Sequence, residues 1–136
     1  MNPSTPFEYC ASDAGLTEPL VRKVVVSFYD AVRLDPELGP IFADAIGNDW
    51  DSHIERIIQF WLTATRLGRG YDGRNFMPAH LRNPSIRAAL LPRWLELFRE
   101  TAAEQCSSQA ASILVDIAER MAETLQIGLD RRDHGL

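Results

Sequence analysis

The chain is organised around residues 50–94, which open with the segment Trp50-Asp-Ser-His53-Ile-Glu-Arg-Ile57-Ile-Gln-Phe60-Trp61. A break at Gly68-Arg-Gly70-Tyr71-Asp-Gly73 follows, and after it come Phe76-Met-Pro-Ala-His80-Leu-Arg82 and Pro92-Arg-Trp94. The two histidines therefore belong to separate short elements, with aromatic and β-branched residues between and after them. This arrangement predicts a pocket that grips one flat apolar cofactor from both sides.

Length and composition predict one soluble domain. The chain has 136 residues, of which 46% are hydrophobic and 24% charged, so it can bury a core without staples. The net charge of −5 argues against nucleic acid or an anionic membrane as a partner, since both attract surfaces rich in Lys and Arg. We find no secretory leader and no apolar run of about 18 residues. Cys10 and Cys106 lack CxxC spacing, which fits a reducing cytoplasm, although a disulfide between them stays open.

Apolar residues recur at helical spacing through most of the chain. Thr17 can cap a first helix that ends at Asp35-Pro36, because the residue before proline disfavours helical backbone. We expect a helical turn at 42–46, a helix at 49–67 ended by Gly68, and a loop with one or two helical turns at 68–83.

Two further helices are expected in the C-terminal third. Asn83-Pro84 can start one that Pro92 kinks or divides, with its stronger part at 92–105. Ser107 or Ser108 caps the last helix, which should stop at Gly128. No strand alternation is present, so the sequence predicts an all-α domain at 16–130, a loose segment at 1–15 and a polar tail at 131–136.

His80 is the first candidate for chemistry. It follows a flexible loop and has an apolar neighbour, Leu81. A neutral imidazole in such a place can be the axial ligand of a haem iron. The alternative is an ordinary histidine in a surface loop. The absence of CxxCH from the sequence excludes covalent c-type attachment.

Three polar side chains accompany His80 in an otherwise apolar pattern. Tyr29, His53 and Trp94 each offer one hydrogen-bond donor, and each taken singly is an ordinary core or half-buried residue. Together they have the composition of a ligand pocket, with apolar walls and a few polar groups. Donors of this kind stabilise dioxygen on ferrous iron, which carries partial negative charge.

No competing site survives inspection of the sequence. It contains no GxGxxG, Walker loop or HExxH, and Ser52 next to His53 does not form a nucleophile–base pair, because adjacent helical residues point about 100° apart. Most of the arginines are expected to be solvated. Arg56 and Arg82 are the ones we expect to pair with haem propionates.

Several strings resemble those of the group III truncated haemoglobins. They are Ser27-Phe28-Tyr29-Asp-Ala-Val32, Leu38-Gly-Pro-Ile-Phe42, Trp50-Asp-Ser-His53 with Phe60-Trp61, Gly70-Tyr71-Asp-Gly73, Ala79-His80-Leu81 and Trp94-Leu-Glu-Leu-Phe98. The resemblance covers about residues 16 to 130 and implies a 2-on-2 α-helical globin fold around non-covalent haem b. It also implies that His80 is the proximal iron ligand.

The same resemblance assigns roles to the pocket residues. It implies that Tyr29, His53 and Trp94 form the distal polar trio, that Phe42 packs on the haem, and that Ile57 and Phe60 are apolar pocket positions. His53 then either gates the pocket or ligates the iron itself, and the sequence leaves both open.

These features predict a cytoplasmic, bacterial-type haem protein that binds dioxygen, NO, CO or cyanide. Several donors would hold oxygen tightly, which favours NO detoxification or a peroxidase-like reaction over bulk oxygen transport. A reductase would then be an electron-donating partner. Whether the protein is an enzyme stays open, because no residue reveals turnover. The alternative from another class is a haem-free helical sensor or interaction module, in which His53 and His80 are incidental.

Overall fold

The computed structural model describes residues 14–135. Within them are six α-helices, two short 3-10 turns at Gly73–Asn75 and Ala88–Leu90, and no strand. The helices are α1 (Glu18–Leu34), α2 (Leu38–Ile46), α3 (Trp50–Ala64), α4 (Phe76–Leu81), α5 (Leu91–Gln105) and α6 (Ser108–His134). The all-α prediction is confirmed. No helix in the described part of the chain is long and apolar enough to cross a membrane.

Two helix pairs form the body of the domain. The first helix packs against both α3 and α5, and α5 packs against α6. This pairing of α1 with α3 and of α5 with α6 is the predicted 2-on-2 arrangement. The short helix α4 rests mainly on α6, at the edge of the body.

Aromatic rings connect the two helix pairs across the core. Phe98 of α5 stacks on Trp61 of α3, with ring centroids 4.9 Å apart, and meets Phe28 of α1 edge-on at 5.2 Å. Trp94 lies one helical turn before Phe98, and their rings are 5.9 Å apart. Such offset and edge-on pairs add to the free energy that burial of apolar area provides. Trp94 of α5 is therefore held beside α1.

The ends of α1 and α6 follow the predicted signals. The Thr17 hydroxyl accepts the backbone N–H of Leu20 at 3.3 Å, and α1 ends before Asp35, as predicted. Ser107 caps α6 by accepting the N–H of Ala110 at 3.2 Å. Each cap satisfies a donor that the first helical turn leaves unpaired.

The prediction of a single turn before Gly47 is wrong, because α2 is a full helix from Leu38. Pro40 lies in its first turn, where no backbone donor is lost. Asp35 accepts the N–H groups of Leu38 and Glu37, at 2.9 and 3.0 Å. A Cβ at Gly39 would lie 2.7 Å from the Arg33 carbonyl oxygen, so glycine is required where α2 crosses the end of α1.

The proline and glycine positions in the C-terminal half were also misjudged. No helix begins at Pro84; the 3-10 turn Ala88–Leu90 leads into α5, and Pro92 lies in the first turn of α5 instead of kinking a longer helix. Gly128 does not stop α6, which continues to His134 with Gly135 as its left-handed cap. The predicted polar tail at 131–136 is thus mostly helix. Residues 1–13 of the predicted N-terminal segment, and Leu136, lie outside the described residues.

The loop prediction is confirmed in outline, although α3 ends at Ala64, three residues earlier than expected. Arg66, and not Gly68, adopts the left-handed backbone conformation, with φ +66°. The N–H groups of Leu67 and Gly68 both return to the carbonyl of Leu62, at 2.8 and 3.0 Å. This closes the helix and turns the chain toward α4.

Candidate functional site

His80 is presented by α4 with one ring nitrogen already engaged. Its Nδ1 lies 2.6 Å from the backbone carbonyl oxygen of Phe76, four residues earlier. Because a carbonyl oxygen only accepts hydrogen bonds, Nδ1 must carry the proton. The other nitrogen, Nε2, is left with its lone pair available. This is the tautomer that metal-ligating histidines adopt, with the second nitrogen donating to a fixed acceptor.

Aromatic rings link the His80 segment to α3. The Phe76 ring lies 4.4 Å from the His80 ring and stacks on Phe60 of α3 at 6.1 Å. Phe60 also meets Tyr71 of the intervening loop edge-on at 5.4 Å. Phe60 and Ile57 are half-buried and pack against the core. The α3 face that carries them therefore adjoins the segment that carries His80.

Tyr29 of α1 and Trp94 of α5 both pack edge-on against the Phe28 ring, with ring centroids 4.8 and 5.4 Å from it. Tyr29 is buried, with 7% of its surface exposed. Burial raises the pKa of its hydroxyl, and the hydrogen bond from the Trp94 indole lowers it by less. The net pKa lies well above its ordinary value, so the hydroxyl keeps its proton at neutral pH. The Phe42 ring lies 5.8 Å from the Tyr29 ring, half-buried at the edge of the core.

His53 is half-buried on α3. Burial lowers the pKa of its imidazole, and the charges of Arg56 and His80 lower it further, while Asp49 opposes them. Nη2 of Arg56 lies 3.4 Å from Nδ1 of His53. Since a guanidinium only donates, Nδ1 is the acceptor and Nε2 carries the proton. His53 is therefore neutral at pH 7, with one N–H available.

The structure thus groups the predicted residues into two sets. Tyr29, Trp94 and Phe42 lie together at α1, α2 and α5, and His53 contacts Arg56 on α3. Both arginines predicted to meet propionates are exposed: Arg56 sits beside His53, and Arg82 follows α4 directly. Of the predicted distal trio, Tyr29 and Trp94 thus lie together, whereas the side-chain contact of His53 is with Arg56.

Sequence reasoning missed two residues of this site. Phe76 supplies both a carbonyl acceptor and a ring to His80, and its position four residues before His80 was a helical signal that could have identified it. Arg132 contacts the segment after His80 from the far end of α6. No local pattern marks a contact across so long a stretch of chain.

These residues fit a flat apolar cofactor with a single axial ligand. The available Nε2 of His80 is a suitable iron ligand, and half-buried apolar side chains of α2 and α3 supply walls. Within residues 14–135 no group of three or more His, Cys, Asp or Glu side chains is placed to hold a metal ion. A ligand set made of protein side chains alone is thus not present in that range.

Comparisons with known proteins point in one direction. No family model matches the chain. A curated relative, the group 3 truncated hemoglobin ctb of Campylobacter jejuni, is 30% identical over 115 residues, covering 82% of this chain and 89% of the relative. The crystal structure of a group III truncated hemoglobin from Campylobacter jejuni superimposes with a TM-score of 0.78 and 26% identity, covering 95% of both chains.

Proposed function

The chain belongs to the group III truncated haemoglobins and is therefore a haem globin that binds diatomic ligands, and we propose that it holds haem b through His80. The observation that carries this proposal is the donation from His80 Nδ1 to the Phe76 carbonyl. It fixes the ring orientation and leaves Nε2 as the ligating atom. No covalent link is needed, since a single imidazole and apolar walls hold such a cofactor.

The walls of the proposed haem site come from α2 and α3. Phe42, Ile57 and Phe60 are each half-buried against the core and present their remaining apolar surface outward. Covering this surface with a porphyrin would remove it from water, at a gain of about 25 cal/mol per Å². Arg56 and Arg82 are the exposed cations proposed to pair with the propionates.

Haem bound at His80 would supply an iron with a coordination position open to dioxygen, NO, CO or cyanide. The protein's own part is to present donors to that ligand. Because the Tyr29 hydroxyl accepts the Trp94 N–H, its own hydrogen is directed elsewhere. His53 keeps an Nε2–H and stays neutral at pH 7. Tyr29 and His53 are therefore proposed as the donors to the ligand, and Trp94, the third member of the polar trio, as the group that orients the Tyr29 hydroxyl.

Several donors would make oxygen release slow. Slow release disfavours bulk transport and favours ligand chemistry, such as NO detoxification or a peroxidase-like reaction. Such chemistry requires electrons, so a reductase is the proposed protein partner. The raised pKa of Tyr29 supports slow oxygen release, because a hydroxyl that keeps its proton can donate a hydrogen bond to the bound ligand.

We propose two alternative roles for His53, a gate of the pocket or a second axial ligand of the iron. Its weak 3.4 Å contact with Arg56 holds the ring loosely, which suits a gate that swings outward. This histidine shares helical spacing with Ile57 and Phe60 on the α3 face that adjoins the His80 segment, which suits a second axial ligand in a six-coordinate resting state. A low-spin ferric spectrum lost in His53→Leu would identify ligation, and a high-spin spectrum in both proteins would identify the gate.

A cytoplasmic location is proposed on cysteine usage. Cys106 is a half-buried thiol with a pKa raised by burial, which makes it an unreactive group. Cys10 lies outside the described residues, so the predicted alternative of a disulfide stays a prediction. Detection of reduced Cys10 and Cys106 in the native protein would support the proposal, and a Cys10–Cys106 disulfide would argue against it.

An absorption spectrum of the purified protein tests the haem proposal. We expect a Soret band that is lost in His80→Gly and restored by free imidazole, which replaces the missing ligand. His134→Gly provides the control, because His134 is exposed at the end of α6. A colourless protein that takes up no added haem would contradict the proposal and favour a haem-free sensor or interaction module.

A further inference from the structure

The last helix reaches back to the segment that follows His80. Because α6 continues past Gly128, it brings Arg132 alongside the end of α4. The guanidinium donates to three backbone carbonyls: Nη1 to Leu81 at 3.3 Å and Asn83 at 2.9 Å, and Nη2 to Ile86 at 2.6 Å. The Arg132 side chain thus binds three backbone carbonyls within residues 81–86.

One of these bonds caps α4 itself, because Leu81 is its last residue, and the other two hold the turn that follows. The last carbonyls of any helix have no partner within the helix, and a helix as short as α4 is unstable alone in water. None of the α4 residues is fully buried, so packing holds the helix weakly. The Arg132 side chain is 20% exposed and is itself fixed by Asp133, whose Oδ1 lies 2.7 Å from Nε. A rigid, charged donor therefore ends the His80 helix.

Gly128 allows α4 to pack closely against α6. A Cβ at this position would lie 3.1 Å from Sδ of Met77 and 3.4 Å from Cδ2 of Leu81. These two α4 side chains flank His80 in the sequence and lie over the glycine. The absence of a side chain at position 128 therefore sets the distance between α4 and α6. Arg132 fixes the C-terminal end of α4.

We propose that Arg132 is a positioning residue, which sets through α4 how His80 presents its Nε2 to the haem iron. This role rests on the proposed function, because it assumes that His80 is the axial ligand. Arg132 would act through the backbone of residues 81–86, whose carbonyls its guanidinium binds. A guanidinium has five N–H donors in a rigid planar fork, whereas the three donors of an ammonium radiate from one atom on a flexible stem, so lysine would hold the same carbonyls less firmly.

The iron–histidine stretching band of the ferrous protein tests the role directly, since it responds to the orientation of the ligating ring. We expect Arg132→Gln to shift and broaden this band and to speed haem loss about tenfold, at the lower end of outer-shell effects on metal sites. Arg132→Lys should restore part of the shift. Arg131→Gln removes the neighbouring exposed charge and should leave the band unchanged.

Amide hydrogen exchange of the haem-free protein separates this inference from the proposed function. Faster exchange at residues 81–86 in Arg132→Gln, together with the band shift, supports the positioning role. Faster exchange with an unchanged band overturns it, because Arg132 would then be structural only. A wild-type protein with no iron–histidine band overturns both proposals, whatever the exchange shows.

Gly128→Ala offers a second variant that keeps Arg132 intact. Its added methyl group crowds Met77 and should shift the same band by moving α4 outward. Adding Met77→Ala should return the band toward its wild-type position, since the crowded sulfur is gone. If Gly128→Ala folds and its band does not shift, the orientation of the His80 ring does not depend on how α4 packs against α6.

Discussion

The rings of Tyr29 and Trp94 both meet the Phe28 ring edge-on, at 4.8 and 5.4 Å, and the Trp94 indole of α5 lies near enough to the Tyr29 hydroxyl of α1 to lower its pKa. A hydroxyl that accepts one bond is still able to donate its own hydrogen. Since Tyr29 is buried and its pKa is raised, that hydrogen stays on the oxygen at neutral pH. The pair therefore provides one oriented donor, with Trp94 setting its direction.

Tyr29→Phe should accelerate oxygen dissociation by about tenfold, the effect of losing a hydrogen bond worth roughly 1.4 kcal/mol. Stopped-flow mixing of the oxygenated protein with a reductant or with CO measures this rate. Tyr71→Phe is the matched control, because it removes a hydroxyl from a half-buried tyrosine whose ring packs on Phe60. Fast oxygen release in the wild type, unchanged by Tyr29→Phe, would contradict the proposed role.

Trp94→Phe should also accelerate oxygen release, but by less than Tyr29→Phe. The tyrosine keeps its proton in this variant and loses only the partner that orients it. Combining both substitutions should therefore add little beyond Tyr29→Phe alone, since residues in one network are not additive. Dissociation rates of the three variants measure the coupling. Fully additive effects would show that Trp94 acts on the ligand independently of Tyr29.

His53 should make the folded protein less stable in mild acid. Its folded pKa is below the unfolded value of about 6.5, so the unfolded chain binds more protons as the pH falls through that value. The free energy of unfolding must then decrease from pH 7.5 to pH 5. In His53→Gln the decrease should be smaller, measured by urea denaturation at both pH values.

His134→Gln provides the reference for that comparison, because it removes an exposed histidine and leaves His53 and His80 in place. We expect its pH dependence to match that of the wild type. If His53→Gln showed the same decrease as the wild type, protonation of His53 would not be linked to unfolding, and its half-buried environment would not disfavour the charged form.

Much of this site can be predicted because its signals are local. Thr17 and Asp35-Pro36 mark the ends of α1 within a few residues, and the loop before His80 is marked by glycines. What could not be predicted depends on distant partners. Gly39 lies inside a full helix because the nearby Arg33 carbonyl leaves no room for a side chain there, and Gly128 lies mid-helix because α4 packs over it. Pro92 begins α5, since its missing donor is not needed in a first turn.

Asp35 joins the start of α2 to α5 and should contribute substantially to stability. Its carboxylate accepts two backbone N–H groups and binds Arg93 at 2.7 Å, and its side chain is only 2% exposed. Burial raises the pKa of this carboxyl, but the Leu38 N–H, the Arg93 guanidinium and the Glu37 N–H together hold it below its ordinary value. Asp35→Ala should lower the free energy of unfolding by about 2–4 kcal/mol, combining a lost cap with a lost ion pair.

Urea denaturation of Asp35→Ala measures this loss, with Glu119→Ala as the control. Glu119 pairs with Arg99 at the surface, where both side chains are about half exposed, so its loss should cost less than about 1 kcal/mol. Because the folded pKa of Asp35 is depressed, its contribution is present above pH ~4 and is lost as the pH falls further. The difference in the free energy of unfolding between the wild type and Asp35→Ala should therefore become smaller in strong acid. A gap that is constant with pH would mean that the carboxylate acts by packing and not by charge.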